Sequence, residues 1–134
     1  MKSKYYTPTI DEFYIGFEYY SIIKNTYFHS IFGTENVDLQ NIDEGIENNT
    51  IFVKHLDKDD LKELGWEKCK GNLEVFKVVG TNNNQYCKHN LSLTRLCKKI
   101  TIRKRIANNY TQLFNGFIKN KSELNKLMKQ LNIL

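Results

Sequence analysis

Proline is nearly missing from this chain, with Pro8 alone among 134 residues. That leaves no proline-rich linker to hold two domains apart. Cysteine is also scarce, and Cys69, Cys87 and Cys97 show no repeated spacing. An odd count of this kind is not the disulfide framework of a small secreted domain. No apolar run approaches the roughly 18–20 residues that a membrane-spanning helix needs. The opening MKSKYYTPTIDEF has lysines without an apolar stretch behind them, so no secretory signal is expected. There is no glycine-rich phosphate loop, no G-x-S-x-G and no H-E-x-x-H. These absences predict a soluble, unexported, cytoplasmic protein that makes no use of a membrane. The length predicts a single domain spanning 1–134, large enough to bury a core without disulfides or metal, and no cofactor is expected.

What is present begins with a capping-box form at Thr9 to Glu12, which predicts one turn of helix. From Phe13 to Tyr20 the residues alternate as in a strand, with Phe13, Ile15, Phe17 and Tyr19 on one face. Leu39, Ile42 and Ile46 recur at helical spacing, though Gly45 costs that helix about 1 kcal/mol. Ile51 to Val53 reads as a strand. Asp57 after it is a good N-cap, Leu56 and Leu61 form a hydrophobic staple, and Gly65 suits a C-cap. Leu73 to Val79 and Tyr86 to Leu93 read as strands joined by the turn residues 80–85. Lys99 to Ile106 alternates again, with Ile100, Ile102 and Ile106 on one face and Lys99, Thr101, Arg103 and Arg105 on the other. Tyr110 to Ile118 is the last strand. A final helix is capped by Asn120 and carries Leu124, Leu127, Met128 and Leu131 as its apolar stripe. The whole predicts an α+β fold. We expect a curved antiparallel sheet of about five or six strands, a short capped helix mid-chain and an amphipathic C-terminal helix.

Candidate chemistry is sparse. His29, His55 and His89 fall on different elements. Asp57, Asp59 and Asp60 read as charges at a helix start rather than a metal site. Cys87 and His89 lack the paired spacings of structural zinc, and alternation puts Cys87, His89, Leu91 and Leu93 on one face, so core packing is the expectation. Neither catalytic residues nor a metal site are predicted, and the chain is not expected to be an enzyme.

Charge is segregated. Residues 1–67 hold six lysines against thirteen acids, a formal −7, and residues 68–134 hold fourteen basic residues against two acids, a formal +12. Such asymmetry points to nucleic acid or another polyanion. Lysine exceeds arginine 17 to 3 beside 16 asparagines, which reads as the coding bias of an AT-rich genome, so lysine content alone argues nothing. The arginines are more telling, because all three lie in one stretch. Arg95, Lys98, Lys99, Arg103, Lys104 and Arg105 are the predicted partner-binding residues. Alternate strand positions repeat about every 6.6–6.8 Å, a spacing a phosphate backbone can follow. The competing reading is that basic strands guard sheet edges, or that the two halves neutralise each other. Ten of the seventeen aromatics fall in the first 32 residues, away from the arginines, and read as core plus a protein-binding patch.

Three segments carry a resemblance. Tyr6-Thr7-Pro8-Thr9-Ile10-Asp11-Glu12-Phe13 leads into Gly16-Phe17-Glu18-Tyr19. Val53 to Asp60 is followed by Leu64-Gly65-Trp66, and Gly116 to Leu124 forms the third. Together they look like small proteins of phages and prophages in Bacteroidota, and the likeness does not extend over 68–109. That family brings no catalytic residues to transfer. The resemblance implies a non-catalytic accessory protein that binds a host protein or ribonucleoprotein, including an anti-defence (anti-CRISPR-type) inhibitor of a bacterial nuclease. Direct binding of DNA or RNA through the strand at 95–105 is the alternative.

Overall fold

The computed structural model describes residues 4–34, 37–68, 85–96, 98–107 and 109–133. The fold is α+β, with nine strands in two antiparallel sheets and three α-helices among the described residues. One curved sheet of five or six strands was expected. By contacts the chain divides into two compact units, 1–55 with 120–124 and 56–119 with 125–134.

The first unit holds a sheet of order β1-β4-β2-β3. Its strands are β1 (Tyr5–Tyr6), β2 (Glu18–Ile23), β3 (Thr26–Ile31) and β4 (Ile51–Lys54). A 3-10 turn at Ile10–Glu12 is capped as expected, with Thr9 N donating to Glu12 Oε2 at 2.7 Å. The strand expected from Phe13 starts only at Glu18. Gly16 has φ +99° and turns the chain, leaving Ile15 81% exposed instead of beside Phe17. Period-two alternation cannot pass through a left-handed residue. Residues 24 and 25 also adopt positive φ (Lys24 50°, Asn25 63°). They close a two-residue hairpin between β2 and β3 that the sequence pattern does not announce, since only asparagine favours that conformation.

One face of this sheet packs with helix α1 (Leu39–Glu47). Phe17, Tyr19, Ile42, Ile51 and Val53 form the core, backed by Tyr6, Phe13, Tyr14 and Phe32. Asn120 Oδ1 accepts from Glu123 N at 2.8 Å, the cap expected of the last helix. Its Nδ2 donates to the Tyr6 hydroxyl at 2.9 Å, and Ser122 Oγ accepts from Glu18 N at 3.0 Å.

The second unit holds the meander β5-β6-β7-β8-β9. Its strands are β5 (Glu67–Lys68), β6 (Gln85–Lys88), β7 (Leu91–Leu96), β8 (Lys99–Ile106) and β9 (Asn109–Phe117). Helix α2 (Lys58–Glu63) opens this unit as the sequence predicts. Asp57 Oδ1 accepts from Asp60 N at 2.9 Å, Asp60 Oδ2 accepts from Asp57 N at 3.2 Å, and Leu56 and Leu61 are buried. Gly65 follows at φ +91°. The expected strand from Tyr86 to Leu93 is instead two strands, because His89 (φ 55°) turns the chain between β6 and β7. The strand expected at Leu73 to Val79 lies outside the described residues. Trp66, Leu93, Ile100 and Ile102 are almost wholly buried, and Trp66 Nε1 donates to Met128 Sδ at 3.4 Å within helix α3 (Lys121–Gln130). Cys87, for which core packing was expected, is disulfide-bonded.

Candidate nucleic-acid interface

The six basic residues predicted to bind do not act as one group. In an antiparallel sheet, directly opposed residues share a face. Arg95 pairs with Ile100 and therefore lies on the core side, where its Nη2 donates to the carbonyl of Leu56 at 2.7 Å. It holds the chain entering α2 and belongs to the structure of the unit. Lys104 pairs with Leu91 and shares the face of Ile100 and Ile102, at the solvent-exposed end. Lys98 is exposed in the turn between β7 and β8.

Lys99, Arg103 and Arg105 share the face of β8 away from Ile100 and Ile102, here called the outer face; Lys99 and Arg105 are exposed, whereas Arg103 is half-buried opposite the buried Ser92. Their partners on β9 are Phe117, Gln112 and Tyr110, with Thr101 opposite Asn115. The outer face is therefore a ladder of cross-strand pairs: Lys99–Phe117, Thr101–Asn115, Arg103–Gln112 and Arg105–Tyr110. Phe117 is 74% exposed and Tyr110 is 36% exposed. Thr101 Oγ1 donates to Asn115 Oδ1 at 3.3 Å, and Arg105 Nε donates to the carbonyl of Ala107 at 3.1 Å, which braces that side chain at the hairpin end. Leu113 is the extra residue of a bulge between the Ile102 and Arg103 pairs. Bulges strengthen local twist, so the two ends of the ladder are rotated about the strand axis.

The electrostatics are one-sided. From Lys99 to Phe117 the chain contains no acidic residue. Lys98, Lys99, Arg103 and Lys104 take part in no ion pair among the described residues. In the first unit Glu18 meets His29 Nε2 at 2.8 Å and Lys121 Nζ at 3.3 Å.

Phe117, Tyr110, Gln112 and Asn115 escaped the sequence reading. The signal for them was the register of two strands only two residues apart in sequence, in which Ile106 opposes Asn109. Counting back from that turn sets every pair up to the bulge. The aromatics of the first 32 residues divide in a different way. Phe13, Phe17, Tyr19 and Phe32 serve the core, whereas Tyr5, Tyr20 and Tyr27 cluster with Phe52 on the other sheet face, Tyr5 stacking on Tyr27 at 4.5 Å between centroids.

Among the described residues no three His, Cys, Asp or Glu side chains gather to hold a metal ion. Burial pushes the Tyr6 phenol far above its ordinary value, against the lowering effect of the bond from Asn120, with Glu12 adding to the rise. Burial raises Tyr14 in the same direction. Neither group belongs to the basic ladder. No protein-family profile matches the chain, and no curated protein or solved structure matches it.

Proposed function

We propose that this protein is a non-catalytic binding protein that grips nucleic acid exposed on a host nucleoprotein, using the outer face of β8 and β9. The observation that supports this most is a set of basic side chains beside an exposed aromatic: Lys99 and Arg103, with no acidic partner among the described residues, and Phe117 next to Lys99. Basic side chains that track phosphates, with aromatic faces on which bases stack, are what single-stranded nucleic-acid binding uses. The resemblance to phage and prophage proteins supplies a setting, in which the nucleoprotein is a defence nuclease of CRISPR type and binding inhibits it.

The test is fluorescence anisotropy of labelled single-stranded DNA and RNA over a series of salt concentrations, alongside a pull-down from a Bacteroidota lysate. The expected result is binding that weakens steeply with salt, and that is weaker and less salt-dependent when Arg103 and Arg105 are both changed to alanine. Capture of a host protein that needs no nucleic acid and survives the double substitution would overturn the proposal.

A further inference from the structure

Sheet edges are open hydrogen-bonding templates, and proteins blunt them with shortness, charge, proline or bulges. Among the described strands, three of the four edges are blunted. β1 and β5 have two residues each, and β9 carries the bulge. The fourth edge, β3, is six residues long with the sequence TYFHSI, free of lysine, proline and bulge. Two of its side chains, Tyr27 (43%) and Phe28 (48%), are large, apolar and exposed.

The phase of its backbone follows from its neighbours. Ile22 N donates away from β3, to Thr50 O at 2.8 Å, so its opposite residue Tyr27 also directs its groups away from β2. Phe32 has the opposite phase, exchanging bonds with Phe17 O at 2.9 Å and Gly16 N at 2.8 Å. The alternation of an antiparallel ladder therefore turns the N–H and C=O of Tyr27, His29 and Ile31 outward. Of these, Ile31 O is already taken by Thr34 N at 3.3 Å and Thr34 Oγ1 at 2.8 Å. Among the described residues nothing bonds to the outward groups of Tyr27 and His29.

We infer that β3 pairs antiparallel with β3 of a second copy of this chain, about a two-fold axis at Phe28. This register is self-complementary. Tyr27 of each copy lies opposite His29 of the other, so the four open groups of each edge bond to those of its mate. Phe28 meets Phe28 across the axis as a non-hydrogen-bonded pair, the closer kind of cross-strand contact, and covers an exposed ring. Thr26 opposes Ser30, and no like charges face each other. A register centred on His29 is inferior: it would set Tyr27 against Ile31, whose carbonyl is occupied, and histidine against histidine. An edge contact of this size belongs with weak, concentration-dependent dimers.

Sedimentation equilibrium of the full chain over a concentration series tests this. The weight-average mass is expected to rise from the 15.9 kDa of one chain towards twice that value. Phe28→Lys is expected to stay at one chain's mass with an unchanged circular-dichroism spectrum, since the side chain is half exposed. Amide exchange gives a second readout. Protection should grow with concentration at Tyr27 and His29, while the Phe28 amide, turned towards β2, stays protected throughout. A chain that remains monomeric at every concentration overturns the inference, as does a Phe28→Lys variant that dimerises like the parent. If Phe28→Lys instead loses a captured host protein from a monomeric parent, the edge takes another protein's strand, and the dimer is overturned.

Discussion

Arg95 and Arg103 sit on neighbouring strands and face opposite sides of the sheet, and this divides their roles. Arg95→Ala removes a charged hydrogen bond to the Leu56 carbonyl, and bonds of that kind are worth about 1.5–3 kcal/mol. Urea unfolding of Arg95→Ala should show a loss in that range, with nucleic-acid affinity left close to the parent's. Arg103→Ala should do the reverse, keeping the unfolding midpoint and weakening binding, because no hydrogen bond or ion pair holds its side chain among the described residues. The first unit offers a second residue-scale prediction. Tyr6 donates to Glu12 at 2.7 Å and is raised chiefly by burial. Its neutral form is the one the fold prefers, so its contribution is intact below the ordinary phenol value of about 10. As pH rises beyond that, the unfolded chain loses this proton first and stability falls. Alkaline unfolding followed by circular dichroism should therefore be steeper in the parent than in Tyr6→Phe, and equal steepness would remove Tyr6 as the cause.

At the scale of elements, what was legible depended on whether a signal was local. Helix α2 could be read almost to the residue, since its cap, staple and closing glycine lie within ten positions of one another. The last helix and the strands β8 and β9 were legible for the same reason. Strand ends set by left-handed residues were not. Gly16, Asn25 and His89 each turn the chain inside a run whose composition still favours strand. The binding face was half legible: alternation placed Lys99, Arg103 and Arg105 together, and only pairing with β9 adds Phe117 and Tyr110. Phe117→Ala should weaken single-strand binding by about 1–3 kcal/mol, the usual worth of a stacking aromatic. Its melting temperature should not move, because a ring 74% exposed contributes little to packing. The cysteines were misjudged because an odd count says nothing about which two meet. With Cys87 in a disulfide, the denatured, unreduced chain should show one reactive thiol and the reduced chain three. Three thiols before reduction, in protein purified from a reducing cytosol, would mean the bond does not form in that compartment.

For the whole molecule, the segregation of charge makes ionic strength the most discriminating variable. A formal +12 over residues 68–134 against −7 over residues 1–67 means that the net +5 understates the charge available to a polyanion. Each phosphate neutralised on a single strand contributes about −0.7 to the slope of log affinity against log salt. If Lys99, Arg103 and Arg105 each meet a phosphate, the parent slope should be about −2 or steeper, with Lys98 adding to it. Arg103→Ala together with Arg105→Ala should reduce its magnitude by about 1.4. Phe117→Ala should lower affinity at every salt concentration and leave the slope alone, because stacking releases no counterions. Arg95→Ala should also leave the slope alone, its guanidinium being engaged inside the fold. These variants separate electrostatic tracking from general loss of structure, since a partly unfolded protein would lose affinity without this division between slope and intercept. A slope unchanged by the double arginine substitution would place the polyanion elsewhere on the basic half and retire the β8–β9 face as its site.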